Sequence, residues 1–503
     1  MKLNPRCVMK LNPSMVIALG VAVLALQGCR DQPVPAEPTS EGTAAASLMP
    51  SGTDGRYVVL FAAERVPADF AERVSRRGGA VEAALDSIGV AAVSGLTEAA
   101  AAELAAEDGI RAVEPDALMA MADDHVDAEQ TASEAPALAP ADAAASPTAA
   151  QFYARQWNMR AVSAPEAWAA GHLGSRNVVV AILDTGIDYL HPDLVGLVDL
   201  ERSKSFVPEE DAVVEARFPG NLPFSDLFWH GTAMASIVAS NARILAGVNR
   251  DVTLLAVKIW NRSYQGPLSR LLAGIVYAAD QGADVINVSG GYDRDKSENP
   301  GTAAAFERAA NYAFQKGALI VSLPFNDAAD LDHDGDRVRF PCEAAHVICV
   351  SATGPTAGGS LTGPWTDVDA PAPYSGFGRS AVDVAAPGGG GRQPLLALFR
   401  RVWVACTTTW TETTDPPACK LEACRVLSAP RGRDCIAQGA GTSFAAPHVA
   451  GLAALLVAQL GHGNPALIRA RILQSADDLG APGTDPYYGE GRINIARALG
   501  LIE

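Results

Sequence analysis

Positive charge and long apolar runs are both scarce in this sequence. It has 39 lysine and arginine residues against 57 aspartate and glutamate residues, a formal net charge of -18 over 503 residues. This surplus of negative charge repels phosphate backbones and anionic headgroups, so it argues against nucleic acid and anionic membrane surfaces as partners. The apolar run at residues 15–26 has only 12 residues, whereas roughly 20 are needed to span a bilayer.

A short apolar run near the N-terminus is typical of an export signal. Three basic residues precede it, and Leu26-Gln27-Gly28-Cys29 ends it. This arrangement predicts a signal peptide over residues 1–28. The final residues resemble a bacterial lipobox, which implies lipidation of Cys29; plain secretion is the alternative. We therefore expect an exported protein, either lipid-anchored in a bacterial cell envelope or extracellular after processing.

Two signatures of catalytic and metal sites are missing. No serine lies in a G-x-S-x-G turn, which argues against an esterase-type hydrolase. Paired C-x-x-C knuckles are also absent, so zinc is the weaker interpretation of the later cysteines and disulfides are the stronger one. We expect Cys342 to pair with Cys349 and two further bridges to form among the remaining four cysteines, whose pairing is left open. The disulfide candidates are Cys342, Cys349, Cys406, Cys419, Cys424 and Cys435.

Two segments have compositions that favour disorder. Residues 29–55 are rich in Pro, Ala, Ser, Thr and acids, and they hold too few large apolar side chains to form a core. Residues 121–150 contain aspartates and glutamates but no lysine or arginine. We expect a disordered tether in the first segment and a solvated, protease-accessible linker in the second.

The remaining chain divides into two parts. In residues 56–120, the sequence pattern predicts strands at 57–61, 81–96 (broken near 86–89) and 110–113, and helices at 68–76 and 97–107. These elements form a small α+β unit of the ferredoxin-like, split β-α-β kind. Residues 151–503 alternate buried strands with helices, which predicts an α/β fold with a doubly wound, mostly parallel sheet. A cysteine-containing insertion is predicted at about 392–438.

Three motifs in the second part carry catalytic residue types. Asp184 ends an apolar strand, His230 opens a helical run, and Ser443 follows a glycine-led turn into an apolar helix. A serine hydroxyl is a weak nucleophile until a base accepts its proton, and a neutral imidazole suits that task. A carboxylate can hold the second N–H of the imidazole. The free N–H groups at a helix start favour a developing oxyanion.

In this order the motifs resemble those of the subtilisin-like serine proteases (subtilases), over about residues 156–499. The resemblance implies an endopeptidase that hydrolyses protein or peptide substrates through an acyl-enzyme. Ser443 would be the nucleophile and His230 the base and then the acid. Asp184, rather than the nearby Asp188, would orient the imidazole.

The resemblance implies two further parts of the site. Asn326, at the end of a strand, would donate to the oxyanion together with the Ser443 N–H; a loop asparagine that caps a turn is the alternative. Ser289, Gly290 and Gly291 resemble the edge strand that pairs with an extended substrate; glycines that merely end a strand are the alternative.

The resemblance also assigns a role to the first part. Residues 113–116 resemble the end of an inhibitory propeptide, which implies that residues 56–120 act as an intramolecular chaperone and inhibitor. Maturation cleavage would then fall in the 121–150 linker. An unrelated substrate-binding module is the alternative.

Carboxylates at every second position predict a calcium loop. They are Asp330, Asp332, Asp334 and Asp336. Pro341 stands where an EF-hand carries its glutamate, so this is not an EF-hand; a solvated acidic loop is the alternative. Subtilases often use structural calcium, and Asp193 is a weaker ligand candidate.

Together these features predict an exported, self-maturing, monomeric serine endopeptidase with structural Ca²⁺. The main alternative is a catalytically silent, subtilase-like scaffold that binds peptides. Three departures from the usual family motifs keep that alternative open. They are Trp229, Ala233 and Pro324-Phe325.

Overall fold

The computed structural model describes residues 55–120, 125–127, 146–391, 399–409 and 435–503, which belong to one compact unit, Gly52–Glu503. Several predictions concern residues outside these ranges. They are the signal peptide, the lipidation of Cys29, the tether, most of the 121–150 linker, Cys419 and Cys424.

The N-terminal part is a four-stranded antiparallel sheet with two helices. Its strands are hydrogen-bonded in the order β2-β3-β1-β4. Strands and helices occur in the predicted order. They are β1 (Tyr57–Phe61), α1 (Phe70–Ser75), β2 (Ala80–Leu85), β3 (Val90–Ser94), α2 (Glu98–Ala105) and β4 (Ile110–Pro115).

Strand β1 is buried on both faces. Val59 and Phe61 join Phe70 of α1 in one apolar cluster. Val58 and Leu60 belong to a second cluster, which also contains helices of the C-terminal part. Because successive side chains of a strand point to opposite faces, this one strand holds its own helices on one side and the rest of the protein on the other.

The C-terminal part alternates strands and helices. Its longer strands are β7 (Gly174–Asp184), β9 (Asp251–Lys258), β11 (Val285–Val288), β13 (Leu319–Ser322), β15 (Ile348–Thr353) and β18 (Val384–Pro387). Two short strands precede it in sequence, β5 (Leu118–Ala120) and β6 (His125–Asp127). Its own short strands are β8 (Lys204–Ser205), β10 (Gln265–Pro267), β12 (Tyr292–Asp295), β14 (Arg337–Phe340), β16 (Ala357–Gly358), β17 (Trp365–Thr366), β19 (Val402–Ala405) and β20 (Ile436–Ala440). Its helices are α3 (Trp157–Ala161), α4 (Ala164–Ala169), α5 (Pro208–Arg217), α6 (His230–Val238), α7 (Leu268–Asp280), α8 (Pro300–Gln315), α9 (Thr442–Leu460), α10 (Pro465–Gln474) and α11 (Ile495–Ala498).

Seven parallel strands form the central sheet, in the order β18-β15-β13-β11-β7-β9-β8. Along β7, Val180 and Ile182 face the cluster that contains α6 and α9. Ala181 and Leu183 face the cluster that contains α7 and α8. Helices therefore cover both faces, and the predicted doubly wound, mostly parallel α/β fold is confirmed. Asp184 ends β7 and Asn326 follows the end of β13, at the edge where open parallel sheets form their crevice.

Helix α9 runs through the core behind this crevice. Among the helices of the described residues it alone is long and apolar enough to cross a membrane, but 83% of its most apolar window is buried inside the fold. The apolar sequence of α9 is therefore explained by core packing.

His448, in the second turn of α9, is a fully buried polar residue. Its Nδ1 lies 2.8 Å from the Phe444 carbonyl oxygen, and its Nε2 lies 2.9 Å from the side-chain nitrogen of Asn158. Desolvation lowers the pKa of His448 to about 4, against the opposing effect of its backbone hydrogen bond. The imidazole is therefore neutral in the folded protein above that pH.

This lowered pKa predicts a loss of stability in mild acid. An unfolded histidine titrates at about 6.5, so below that pH the unfolded chain binds a proton that the folded chain excludes. The free energy of unfolding should fall between pH 6.5 and 4 by up to about 3 kcal/mol from this residue alone. Denaturant titrations of a Ser443→Ala background, with and without His448→Gln, measure the effect. An unchanged pH slope in the His448→Gln protein would contradict it.

Candidate active site

His230 and Asp184 meet where β7 ends and α6 begins. The imidazole Nδ1 lies 2.9 Å from both carboxylate oxygens, and both side chains are almost fully buried. Gly231 permits this approach, because a Cβ there would lie 2.0 Å from the Gly186 carbonyl oxygen. The carboxylate thus holds Nδ1, which leaves Nε2 as the imidazole nitrogen that can exchange a proton with a substrate.

The second aspartate of the strand-end motif has other partners. Asp188 accepts hydrogen bonds from the Thr408 backbone N–H at 2.9 Å and the Thr408 hydroxyl at 2.8 Å. It also accepts one from the Leu190 N–H at 3.2 Å. Of the two aspartates, the structure therefore brings Asp184 to the imidazole.

A buried carboxylate that sequence analysis did not identify fixes the start of α6. Asp226 accepts hydrogen bonds from the backbone N–H groups of Phe228, Trp229 and Thr232, each at 2.9 Å. The hydroxyls of Thr185 (2.9 Å) and Thr232 (2.6 Å) also donate to it. Desolvation raises the pKa of Asp226 despite these bonds. Asp226 thus ties the end of β7 to the first turn of α6. The sequence feature that could have indicated this role is an aspartate four residues before the histidine.

Ser443 is the second residue of α9 and is fully buried. Helices α6 and α9 pack in the same apolar cluster, and the His230 and Phe444 rings lie edge-on with centroids 6.5 Å apart. The Ser289 hydroxyl donates to the Ser443 carbonyl oxygen at 3.1 Å. Packing of these two helices therefore brings the serine and histidine motifs, far apart in sequence, to one location.

Asn326 faces the same helix start. Its side-chain oxygen accepts hydrogen bonds from the Thr442 N–H at 2.8 Å and the Thr442 hydroxyl at 3.0 Å. These bonds direct the side-chain N–H₂ group away from Thr442. The buried Arg339 holds the preceding loop by donating to the Pro324 carbonyl at 2.7 Å and by pairing with Asp327 at 2.8 Å. The Asn326 amide is therefore held in a fixed orientation.

Tyr264 is a second site residue that sequence analysis missed. Its hydroxyl donates to the Ser289 carbonyl oxygen at 2.8 Å and lies 3.1 Å from Nδ1 of His230. Its ring stacks on that of Phe228, with centroids 5.6 Å apart. Tyr264 has φ +57°, a left-handed conformation that is uncommon for a bulky residue. The tyrosine thus lies between Ser289 and β10.

Strand β10 pairs with a segment of the chain itself. Strand β5, which directly follows the N-terminal part, pairs antiparallel with it, with Ala120 opposite Gln265. The predicted edge, Ser289, Gly290 and Gly291, follows β11, and Tyr264 connects it to the β10 side. Sequence analysis missed β10 because its three residues are too short for a periodic pattern.

The acidic loop does not form a converging set of ligands. Asp330 bonds His333 at 2.9 Å, Asp332 accepts from the Ser380 hydroxyl at 2.6 Å, and Asp336 accepts from the Ser297 N–H at 2.7 Å. Burial raises the pKa of Asp334. Across the described ranges, no three acidic, histidine or cysteine side chains are grouped to hold a metal. In this conformation the four carboxylates are not gathered around one point, and the calcium loop stays a prediction.

Asp193, the weaker calcium candidate, is also occupied by protein donors. Its carboxylate accepts hydrogen bonds from the backbone N–H groups of Arg243, Ile244 and Leu245, each at 2.9 Å. Three backbone N–H groups supply the positive electrostatic field that a cation would otherwise provide.

Cys342 and Cys349 are joined by a disulfide, with Cα atoms 4.8 Å apart. Cys406 and Cys435 are also disulfide-bonded. Both lie within the predicted cysteine-containing insertion, directly after β19 and directly before β20.

Together, the parallel sheet and the meeting of the three motifs define a serine protease of the subtilisin type. The model of the subtilase family matches residues 175–491. The chain belongs to this family and is a subtilisin-like serine endopeptidase.

Individual relatives agree with this assignment. Thermitase of Thermoactinomyces vulgaris is 30% identical over 349 residues, which cover 69% of this chain and 97% of thermitase. A thermophilic serine proteinase of Bacillus sp. (strain AK1) is 32% identical over 329 residues, 65% of this chain and 62% of that protein. The crystal structure of the epidermin leader peptide processing serine protease of Staphylococcus aureus has the same fold. It covers 89% of this chain and 98% of its own at 21% identity, with a TM-score of 0.62.

The bonds to Asp226 predict a kinetic defect on its substitution. Asp226→Asn keeps the shape of the side chain but places an N–H₂ group opposite backbone N–H donors. These buried donors then lack an acceptor, and an unsatisfied buried group costs about 1–3 kcal/mol. We expect kcat to fall at least about tenfold with little change in KM, because the imidazole is displaced while substrate contacts remain.

Asp188→Asn is the matched control for this measurement. It alters another buried carboxylate near the end of β7 that does not bond α6, so peptide hydrolysis should stay within about threefold of wild type. Equal defects in the two variants would mean that Asp226 has no special role.

Proposed function

We propose that Ser443 attacks the substrate carbonyl while His230 accepts the hydroxyl proton and later donates it to the leaving amine. Asp184 holds the imidazole in the required tautomer and stabilises the imidazolium. The 2.9 Å contacts between the Asp184 carboxylate and Nδ1 of His230 are the main support for these roles.

We propose that the oxyanion is stabilised by the Asn326 side-chain N–H₂ group and the Ser443 backbone N–H. The bonds from Thr442 to the Asn326 side-chain oxygen support this role, because they leave the N–H₂ group as the part of the amide directed away from Thr442. The N-terminus of α9 adds its partial positive charge.

We propose that the N-terminal part is an inhibitory propeptide, held by two helix starts. Glu114 accepts from the N–H groups of Gly301 at 2.6 Å and Thr302 at 2.7 Å, in the first turn of α8. Asp116 accepts from the N–H of Ser269 at 2.9 Å and from its hydroxyl at 2.7 Å, in the first turn of α7. Carboxylates at helix N-termini satisfy free N–H groups and complement the helix dipoles.

We propose that maturation cleaves a bond between Ala120 and His125. Strand β5 pairs with β10 on one side of the site, and β6 pairs with β20, which runs directly into the Ser443 turn, on the other. In sequence, only residues 121–124 separate β5 from β6. This narrows the cleavage predicted for the 121–150 linker to its first residues.

The proposed biological setting is export followed by self-maturation, with a lipid anchor at Cys29 and a monomeric enzyme. The signal-like N-terminus and the acidic linker support it. Structural calcium at the acidic loop stays a prediction, because its four carboxylates are not gathered around one point.

Replacement of the nucleophile tests this proposal. We expect Ser443→Ala to remain full length, to leave casein intact and to fail to react with a fluorophosphonate probe, because no hydroxyl is left to attack a carbonyl. Wild type should release its N-terminal part, and mass spectrometry should find a new N-terminus between residues 121 and 125.

Ser240→Ala is the matched control, since Ser240 is a buried serine whose hydroxyl donates to the Leu245 carbonyl. It should mature normally. A Ser443→Ala chain that cleaves itself would refute self-processing. An inert wild type would favour the catalytically silent scaffold.

The two helix-start bonds predict how tightly the cleaved propeptide stays bound. Glu114→Gln and Asp116→Asn remove a charge from each helix start, which costs about 1 kcal/mol or more per site. We expect the Kd of the cleaved complex to rise by roughly five- to tenfold for each substitution, measured from the recovery of protease activity on dilution. Glu103→Gln is the control, because its side chain is 70% exposed and lies away from both helix starts. Unchanged release in all three would contradict the inhibitory contact.

A further inference from the structure

Phe325, the residue before Asn326, has an unusual backbone conformation. Its φ is +68°, in the left-handed region that a bulky side chain rarely adopts because its Cβ approaches the backbone too closely. A residue stays in such a conformation only where its surroundings hold it there. The backbone of Phe325 also sets the direction in which the chain continues, so whatever holds Phe325 also places the Asn326 side chain.

We propose that Arg339 is a positioning residue for the reaction, which holds Phe325 in its left-handed conformation and thereby aims the Asn326 amide at the oxyanion. The inference rests on the oxyanion role proposed above for Asn326 and names the residue on which that role depends. Arg339 acts through Asn326 and is assigned no contact with the substrate.

The Arg339 guanidinium binds the chain on both sides of Phe325 and Asn326. One terminal nitrogen donates to the Pro324 carbonyl oxygen at 2.7 Å. The two terminal nitrogens donate to the two carboxylate oxygens of Asp327 at 3.0 and 2.8 Å. Because the guanidinium is planar and rigid, this paired contact fixes orientation as well as distance. The two residues between the bound groups are therefore held as a short, closed loop.

The same arginine also contacts the Phe325 side chain. Its Cζ lies 5.7 Å from the centroid of the Phe325 ring, within the range of a cation–π contact, and the phenylalanine is buried. The Phe325 carbonyl oxygen accepts a hydrogen bond from the Gly376 N–H at 3.0 Å. Ring and backbone are thus both held, which offsets the unfavourable φ.

Arg339 is itself fixed in place. It lies in β14, which pairs antiparallel with β12, and Asp293 is its partner across the pair. The Asp293 carboxylate lies 3.7 Å from Nε of Arg339, and the Arg339 backbone N–H donates to the Glu343 side chain at 2.6 Å. Only 1% of the Arg339 side chain is exposed. A guanidinium is costly to bury unless it is paired, so its bonds to the loop are part of what stabilises it there.

These contacts predict the result of removing Arg339. Phe325 can then return to a favoured negative φ, which turns the following peptide and moves the Asn326 N–H₂ group away from the oxyanion. Since the oxyanion forms in the transition state and not in the bound substrate, the loss should appear in kcat rather than in KM. A glycine at position 325 adopts a positive φ without strain, so it should make Arg339 dispensable.

The test measures the effect of Arg339→Met on peptide hydrolysis in three backgrounds, which are wild type, Asn326→Ala and Phe325→Gly. Each protein is matured by tagged wild-type enzyme, which is then removed, and kcat is expressed per active site counted with a fluorophosphonate probe. In the wild-type background we expect kcat to fall at least about tenfold, with KM within about twofold. In the other two backgrounds, Arg339→Met should change kcat by less than about threefold, because the interaction it supports is already lost or no longer needed.

Arg337→Met is the matched control. Arg337 lies on the same strand, but its guanidinium is 44% exposed and pairs with Asp293 at 2.7 Å, so kcat should stay within about twofold of wild type. Where Arg339→Met does not accumulate as folded protein, Arg339→Lys replaces it in all three backgrounds. Lysine keeps the charge and loses the fork, so kcat should fall at least about fivefold in the wild-type background and less than about twofold in the other two.

The outcomes separate this inference from the proposed function. An equal loss of kcat in all three backgrounds, a loss that persists in the Phe325→Gly background, or a defect confined to KM would overturn the positioning role of Arg339 and leave the oxyanion role of Asn326 intact. A wild-type kcat in the Asn326→Ala protein itself would overturn the proposed oxyanion role, and this inference with it.

Discussion

The active site depends on a backbone contact so close that only glycine fits. Gly231 lies against the Gly186 carbonyl, and this contact allows the His230 imidazole to reach the Asp184 carboxylate at the end of β7. Asp226 stabilises the contact, because it binds N–H groups at the start of α6 and a hydroxyl at the end of β7. The distance between imidazole and carboxylate is therefore set by packing of a helix against a strand end.

The N-terminal part is complementary to the rest of the protein in two different ways. Its strand β1 contributes alternate side chains to the apolar surface of α7 and α8. Its carboxylates Glu114 and Asp116 then satisfy N–H groups at the starts of the same two helices. Apolar burial provides most of the attraction in such contacts, whereas charged hydrogen bonds at defined points determine orientation. This combination suits a segment that guides folding and then occupies the cleft.

The chain that follows the N-terminal part forms two short strands. It pairs first with β10 and later with β20, which leads into the Ser443 turn. Tyr264 lies beside β10 and contacts both Ser289 and His230. Backbone pairing of this kind does not require particular side chains.

Local patterns in the sequence determined the element types, the doubly wound sheet, the order of the three motifs and the position of Asp184 at a strand end. These features are readable because apolar periodicity and turn residues act over a few residues. Contacts between distant segments decided the rest. The tertiary structure distinguished Asp184 from Asp188, revealed Asp226, Tyr264 and β10, and directed the carboxylates of the acidic loop to separate protein partners. Sequence spacing could not resolve these points, because the local sequence pattern around a carboxylate is the same whichever helix start it contacts. Only the packing of strands and helices determines which hydrogen-bond donors the carboxylate meets.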